Sequence, residues 1–122
     1  MVILLAEDDV QVQRLVSTLL SDDGFTVLAT DNGEAALEAS REYTGHISLL
    51  LTDLDMPKMG GQELCQKITA ERTGIKVLVM SGQPGGRELA CGDEAIFVHK
   101  PFTVADLRNS IEAALGSTRL SN

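Results

Sequence analysis

The chain has 122 residues, of which 43% are hydrophobic and 23% charged, as in a single folded domain and unlike a disordered chain. Its 18 acidic and 10 basic residues give a formal net charge of −8, with the basic residues scattered singly, which argues against direct nucleic-acid binding. The apolar N-terminus meets acidic residues at once, unlike a signal peptide, and no apolar run nears the ~20 residues of a membrane span. We therefore expect a cytoplasmic protein without membrane contact.

Two cysteines, Cys65 and Cys91, stand far apart in the sequence. Their spacing matches neither a disulfide framework nor a zinc site. We expect two free thiols in a reducing compartment.

Five short apolar runs predict β-strands that alternate with helical patterns. The first, third and fourth runs are almost continuously apolar, which is typical of parallel strands covered on both faces. The predicted strands are Val2–Ala6, Phe25–Ala29, Ile47–Thr52, Lys76–Met80 and Ala95–His99.

Helical patterns fill the first three gaps between these strands. Apolar residues recur at helical spacing between Val12 and Leu20 in the first gap. Asn32 is placed to cap a second helix, and a third helix is predicted to begin after the glycine pair at 60 and 61. Each of these segments is long enough to connect two parallel strands as a crossover.

The last part of the chain is less regular. The glycine-rich segment between Met80 and Ala95 leaves room for only a short fourth helix. The final helix is predicted to open at Thr103, with Asp106 completing a capping box, and to end at Gly116.

Repeated strand-helix units predict a doubly wound α/β domain with a five-stranded parallel sheet and helices on both faces. In the flavodoxin-like order 2-1-3-4-5, the first and third strands are neighbours at the switch point where such sheets bind ligands. We assign this domain to residues 1–116 and treat residues 117–122 as a polar tail.

Polar side chains follow the predicted strands at the edge where ligands are expected. Clustered carboxylates repel one another unless protons or a hard cation neutralise them, and carboxylates are the usual protein ligands of Mg²⁺. A lysine and a hydroxyl beside such a cation indicate that an anion joins it, so the set suggests metal-assisted phosphoryl transfer to a carboxylate. The residues are Glu7, Asp8 and Asp9 after the first strand, Asp53 and Asp55 after the third, Ser81 after the fourth, and Lys100 and Pro101 after the fifth.

Four motifs at these strand ends resemble the receiver domain of bacterial response regulators over the range from Val2 to Leu115. The resemblance implies a signalling phosphoacceptor of a two-component system rather than an enzyme, with self-phosphorylation and slow autodephosphorylation. It also implies a histidine kinase or a histidine phosphotransfer protein as the donor partner. The motifs are Ile3-Leu4-Leu5-Ala6-Glu7-Asp8-Asp9, Asp53-Leu54-Asp55-Met56-Pro57-Lys58-Met59-Gly60-Gly61, Ser81-Gly82 and Lys100-Pro101-Phe102.

The resemblance assigns the phosphoacceptor and the metal ligands by position. Asp53 matches the family's phosphoacceptor, and Glu7 and Asp8 match its acidic pair. Mg²⁺ is then expected on Asp8 and Asp53, on Glu7 through water, and on the backbone carbonyl of Asp55.

The resemblance also assigns the residues that respond to phosphorylation. Lys100 and Ser81 are expected to contact phosphoryl oxygens, and Phe97 to move together with Ser81 as the switch. Because Phe97 lacks the hydroxyl of the family's common tyrosine, its movement cannot depend on a phenol hydrogen bond. The bond before Pro101 is expected to be cis, as is typical of the family.

Two other functions share part of this pattern. Asp53 and Asp55 resemble the paired aspartates of a haloacid-dehalogenase-type phosphatase, but Pro57 replaces a Thr or Val of that motif, and the acidic pair precedes Asp53. A flavodoxin needs a phosphate-binding loop after the first strand, where three acids here would repel phosphate. We therefore predict a receiver domain, either complete in itself or attached to an output domain or hybrid kinase.

Overall fold

The computed structural model describes residues 1–82 and 95–116. The predicted short fourth helix and the polar tail lie outside the described residues. Within the described part, no helix is long and apolar enough to cross a bilayer. The elements are β1 (Val2–Ala6), α1 (Val10–Asp22), β2 (Thr26–Thr30), α2 (Gly33–Glu42), β3 (Leu49–Asp53), α3 (Gly61–Glu71), β4 (Lys76–Ser81), β5 (Ile96–His99) and α4 (Val104–Leu115).

The five strands form one parallel sheet in the order β2-β1-β3-β4-β5. The predicted fold class and strand order are confirmed. β3 lies in the centre, where Leu50 is in register with Leu4 of β1 and Val77 of β4. Every residue of β3 is buried, which explains why its sequence lacks the polar alternation of a half-exposed strand.

Two apolar clusters cover the two faces of the sheet. Leu4 of β1 packs in the cluster formed with α2 and α3, whereas the next residue, Leu5, packs in the cluster formed with α1 and α4. Successive side chains of a strand point to opposite faces, so the continuous apolar run of β1 serves both clusters. Burying each such leucine stabilises the fold by about 1.5–3 kcal/mol.

Four of the five predicted strands differ from the observed ones by one or two residues at an end, and the displaced starts of β2 and β3 arise because apolar character reports burial rather than strand pairing. Phe25 precedes β2, and its N–H donates to the carbonyl of Leu20 at the end of α1. Ile47 is buried in the apolar cluster but precedes β3, which begins at Leu49. β5 begins one residue later than predicted, and β2, β3 and β4 each end one residue later, at Thr30, Asp53 and Ser81.

The predicted helix caps agree with the observed ones. The Asn32 side chain accepts a hydrogen bond from the N–H of Ala35 at 2.8 Å, so α2 begins where the sequence places it. Thr103 and Asp106 form the reciprocal capping box of α4, which ends at Gly116. Local sequence alone therefore specifies these helix ends.

Cys65 corrects one expectation. It lies in α3 with 1% of its surface exposed and is disulfide-bonded, so the predicted free thiol is wrong at this position. Cys91 lies outside the described residues. Spacing along the chain does not report which sulfur atoms a fold brings within bonding distance.

Candidate functional site

The carboxyl ends of four parallel strands bring four polar side chains to one edge of the sheet. Asp53 and Ser81 are the last residues of β3 and β4, while Glu7 and Lys100 directly follow β1 and β5. Three of them are buried: Glu7 is 0%, Ser81 3% and Asp53 8% exposed. The end of an open parallel sheet is where such folds bind ligands.

Lys100 joins the two buried carboxylates. Its Nζ lies 2.8 Å from Glu7 Oε1 and 3.2 Å from Asp53 Oδ2. The second oxygen of each carboxylate accepts a backbone N–H, Glu7 Oε2 from Asp9 at 3.0 Å and Asp53 Oδ1 from Leu54 at 2.8 Å. Each of the four carboxylate oxygens therefore faces a donor, which offsets the cost of burying two acids.

The charges at this edge are not balanced. Burial raises the pKa of both the Glu7 and the Asp53 carboxyl above its ordinary value, and the hydrogen bonds and charge of Lys100 oppose this rise without cancelling it. Burial by itself would lower the pKa of Lys100, but the hydrogen bond to Glu7 and the charge of Asp53 outweigh it, and that pKa is raised. An additional positive charge would therefore stabilise the ionised site.

Three carboxylates lie close enough to share one cation. Oxygen atoms of Glu7, Asp8 and Asp53 all lie within 4.8 Å of one another, with Asp8 exposed and the other two buried. Carboxylate oxygens with one side open to water are a donor set that suits Mg²⁺, which keeps several of its waters in proteins. Asp55 is exposed, and its side chain lies outside this cluster.

The third acid after β1 has a different task. The Asp9 side chain accepts hydrogen bonds from two backbone N–H groups in the first turn of α1, at 2.9 and 3.2 Å. Asp9 is thus the N-cap of α1. Glu7 and Asp8 therefore belong to the carboxylate cluster, and Asp9 belongs to the helix end. Glu7 and Asp8 are also the two residues that the resemblance assigns as the acidic pair.

The loop after Asp53 folds back tightly against the end of β3. Gly61, at the start of α3, donates its N–H to the carbonyl of Leu54 at 2.8 Å. A Cβ at Gly61 would lie 2.2 Å from the Asp53 carbonyl oxygen, whereas a Cβ at Gly60 would lie 3.3 Å from that of Leu54. Glycine at 61 therefore permits a backbone approach that helps to place Asp53.

The opposite side of the site is formed by the end of β5. The Lys100–Pro101 peptide bond is cis, which is the isomer implied by the resemblance. The backbone N–H of Lys100 donates to the carbonyl of Ser81 at 2.8 Å, so the lysine is tied to the end of β4. Phe97 lies further back in β5, partly buried against the apolar cluster formed with α2 and α3.

Two contacts of the site were missed by sequence reasoning. The ion pair between Glu7 and Lys100 links residues 93 positions apart, and nothing in the sequence indicates that pairing. Gln13 of α1 donates from Nε2 to the carbonyls of Thr30 at 2.9 Å and Glu7 at 3.3 Å. In the sequence, Gln13 is indistinguishable from an ordinary surface residue of a helix.

The model of the response regulator receiver domain family matches residues 3–112 of the chain. The chain belongs to this family. The response regulator receiver protein CpdR of Brucella abortus is 37% identical over 116 residues, which covers 93% of this chain and 95% of that protein. Several other curated relatives are longer, and the chain spans half of their length or less.

Solved receiver domains share the fold. The response regulator receiver domain protein of Clostridium thermocellum matches with a TM-score of 0.84 and 26% identity, over 99% of this chain and 98% of that chain. The receiver domain of the hybrid histidine kinase CckA matches with a TM-score of 0.81 and 29% identity, over 95% of this chain and 100% of that chain. This receiver domain is therefore a phosphoacceptor module of two-component signalling rather than a classical enzyme.

Proposed function

We propose that the Asp53 carboxylate takes a phosphoryl group from a phosphohistidine on a histidine kinase or a histidine phosphotransfer protein. One observation carries this proposal: Asp53 is buried at the open edge of the sheet and faces Lys100 at 3.2 Å. An oxygen of Asp53 attacks phosphorus, the P–N bond breaks, and its electron pair leaves with the imidazole. The product is an aspartyl phosphate.

Mg²⁺ is proposed to be required for this transfer. Glu7, Asp8 and Asp53 supply the carboxylate cluster, and the backbone carbonyl of Asp55 is the proposed remaining protein ligand. When bound, the ion supplies electrostatic stabilisation of the charge that spreads over the transferring group. Lys100 is held at the acceptor by its contact with Glu7 and is placed to pair with a phosphoryl oxygen.

The response to phosphorylation is proposed to start at Ser81. Its position at the buried end of β4, tied to the backbone of Lys100, supports a role in hydrogen bonding a second phosphoryl oxygen. Phe97 then repacks within β5, which shifts the population between two conformations of the domain. The same site is proposed to phosphorylate itself from small acyl phosphates and to lose the group slowly to water.

The wider setting of the domain is also a proposal. We assign the receiver to residues 1–116 and the tail to residues 117–122. If the receiver is part of a longer protein, the proposed attached part is an output domain or a hybrid kinase. Its proposed compartment is the cytoplasm, where kinases have access to ATP. The acidic net charge of −8 supports a protein partner rather than a nucleic acid.

Intact mass spectrometry tests the proposed reaction. Incubation with an acyl phosphate and Mg²⁺ should add one phosphoryl mass to the wild-type protein, and chelation of the metal should prevent the gain. The variant Asp53→Asn should not gain the mass. Asp22→Asn is the matched control, because Asp22 is exposed in α1 and lies outside the carboxylate cluster. A wild-type protein that gains no mass with Mg²⁺ would contradict the proposal.

A further inference from the structure

Glu7 is held by its backbone as well as by its side chain. Its N–H donates to the carbonyl of Thr30 at 3.1 Å, at the end of β2. Gln13 Nε2 donates to that same Thr30 carbonyl at 2.9 Å and to the Glu7 carbonyl at 3.3 Å. The Thr30 hydroxyl in turn donates to the carbonyl of Leu5 at 2.7 Å. One amide group of α1 thus ties the ends of β1 and β2 together.

The bond to the Glu7 carbonyl matters because of the peptide unit to which that carbonyl belongs. A peptide unit is planar, so a hydrogen bond to the Glu7 oxygen orients the plane that leads into Asp8. Only Asp8 and Asp9 stand between Glu7 and the first residue of α1, and Asp9 is fixed as the helix cap. The direction in which the Asp8 side chain leaves the backbone is therefore set by constraints on both sides.

We propose that Gln13 is a positioning residue for the acidic pair of the cation site. Its amide fixes the peptide between Glu7 and Asp8, so that the Glu7 carboxylate meets Lys100 while Asp8 joins the carboxylate cluster. This inference rests on the proposed function, because it concerns the Mg²⁺ site of the phosphoacceptor. Outer hydrogen bonds of this kind typically change metal affinity by about 10- to 100-fold.

A pair of matched substitutions tests the proposal. Gln13→Met keeps the length and packing of the side chain but removes both donors, and Gln11→Met makes the same change at an exposed position of α1. Calorimetric titration with Mg²⁺ alone, without a phosphodonor, should show about tenfold weaker binding for Gln13→Met and wild-type binding for Gln11→Met. Gln13→Arg restores donors and should bind Mg²⁺ more tightly than Gln13→Met.

Kinetics and melting separate positioning from simple stabilisation. Gln13→Met should need several-fold more Mg²⁺ for half-maximal phosphorylation, yet approach the wild-type rate at saturating Mg²⁺. A lowered melting temperature with unchanged Mg²⁺ affinity would overturn the proposal. If the wild-type protein binds Mg²⁺ but accepts no phosphoryl group, the proposed function fails. If the wild-type protein is phosphorylated and the Gln13→Met variant binds Mg²⁺ with the same affinity as the wild type, only the positioning role is overturned.

Discussion

The ammonium group of Lys100 donates to Glu7 Oε1 at 2.8 Å, across a sequence separation of 93 residues. Its contact with Asp53 is longer, at 3.2 Å. The lysine is thus anchored most closely by a carboxylate other than the proposed phosphoacceptor. This arrangement keeps a positive charge at the site while Asp53 changes from a carboxylate to an acyl phosphate.

Removing that ammonium should separate metal binding from phosphoryl uptake. Lys100→Met eliminates a cation that repels Mg²⁺, so the variant should bind Mg²⁺ at least as tightly as the wild type. It should accept the phosphoryl group about a hundredfold more slowly, because a preorganised charge at the transferring group is lost. Calorimetry and acyl-phosphate kinetics measure the two effects. Lys67→Met, at an exposed position of α3, is the control, and a Lys100→Met variant with wild-type kinetics would refute this role.

The raised pKa of Glu7 predicts how stability depends on pH without Mg²⁺. The folded state holds a proton on Glu7 at pH values where the unfolded chain, with an ordinary pKa of 4.5, has lost it. The free energy of unfolding should therefore fall as pH rises from about 4.5 through the raised pKa, since the folded state binds more protons there. Buried Asp53 contributes in the same direction.

Urea unfolding in a chelator, measured from pH 4 to 8, checks this dependence. Glu7→Gln should flatten the slope, and added Mg²⁺ should do the same in the wild type because the cation stabilises the ionised carboxylates. Glu38→Gln, at an exposed position of α2, serves as the control. An equal slope in Glu7→Gln and the wild type would show that Glu7 does not contribute to it.

The acids at positions 8 and 9 should have opposite phenotypes. Asp9→Ala removes the side-chain cap of α1 and should lower the free energy of unfolding by about 1 kcal/mol. It should weaken Mg²⁺ binding far less than Asp8→Ala, because Asp9 supplies no carboxylate to the cluster. Asp8→Ala should leave stability nearly unchanged because Asp8 is exposed, but it should weaken Mg²⁺ binding strongly because it removes one carboxylate of the cluster. Chemical denaturation and calorimetry on both variants measure the two effects. A loss of stability in Asp8→Ala together with a strong loss of Mg²⁺ binding in Asp9→Ala would contradict these roles.

Adjacent glycines provide a test of the tight loop beside Asp53. In Gly61→Ala the new Cβ would lie 2.2 Å from the Asp53 carbonyl oxygen, so the backbone must shift. This should cost about 1–3 kcal/mol of stability and slow phosphorylation. Gly60→Ala, with its Cβ 3.3 Å from the Leu54 carbonyl oxygen, should have the smaller effect on both. Denaturation midpoints and phosphorylation rates measure the two effects. Larger losses in Gly60→Ala than in Gly61→Ala would contradict the loop geometry.

Much of the fold could be predicted from local sequence. β1 was predicted with its observed bounds, and Asn32, Thr103 and Gly116 mark helix ends by their side-chain or backbone chemistry. Strand starts such as Leu49 were less predictable, because the preceding Ile47 is buried without belonging to the strand. Burial and pairing produce the same apolar signal.

Part of the candidate site could also be predicted from the sequence, and part of it could not. The strand ends carrying Asp53 and Lys100 could be placed by topology, because parallel strands bring their carboxyl ends to one edge. Sequence reasoning could not predict the ion pair of Lys100 with Glu7 or the hydrogen bond from the Gln13 amide to Thr30. Both contacts depend on side chains that reach residues of distant elements. The disulfide bond of Cys65 was likewise not indicated by the spacing of the cysteines.

The identity of the phosphoacceptor can be measured directly. After phosphorylation of the full chain with an acyl phosphate and Mg²⁺, borohydride reduces an aspartyl phosphate to homoserine, and peptide mass spectrometry then locates the converted residue. The structure predicts homoserine at position 53, in a yield that falls when Mg²⁺ is chelated. Conversion at Asp8 or Asp55 instead, or no Mg²⁺-dependent conversion at all, would contradict the assignment of Asp53.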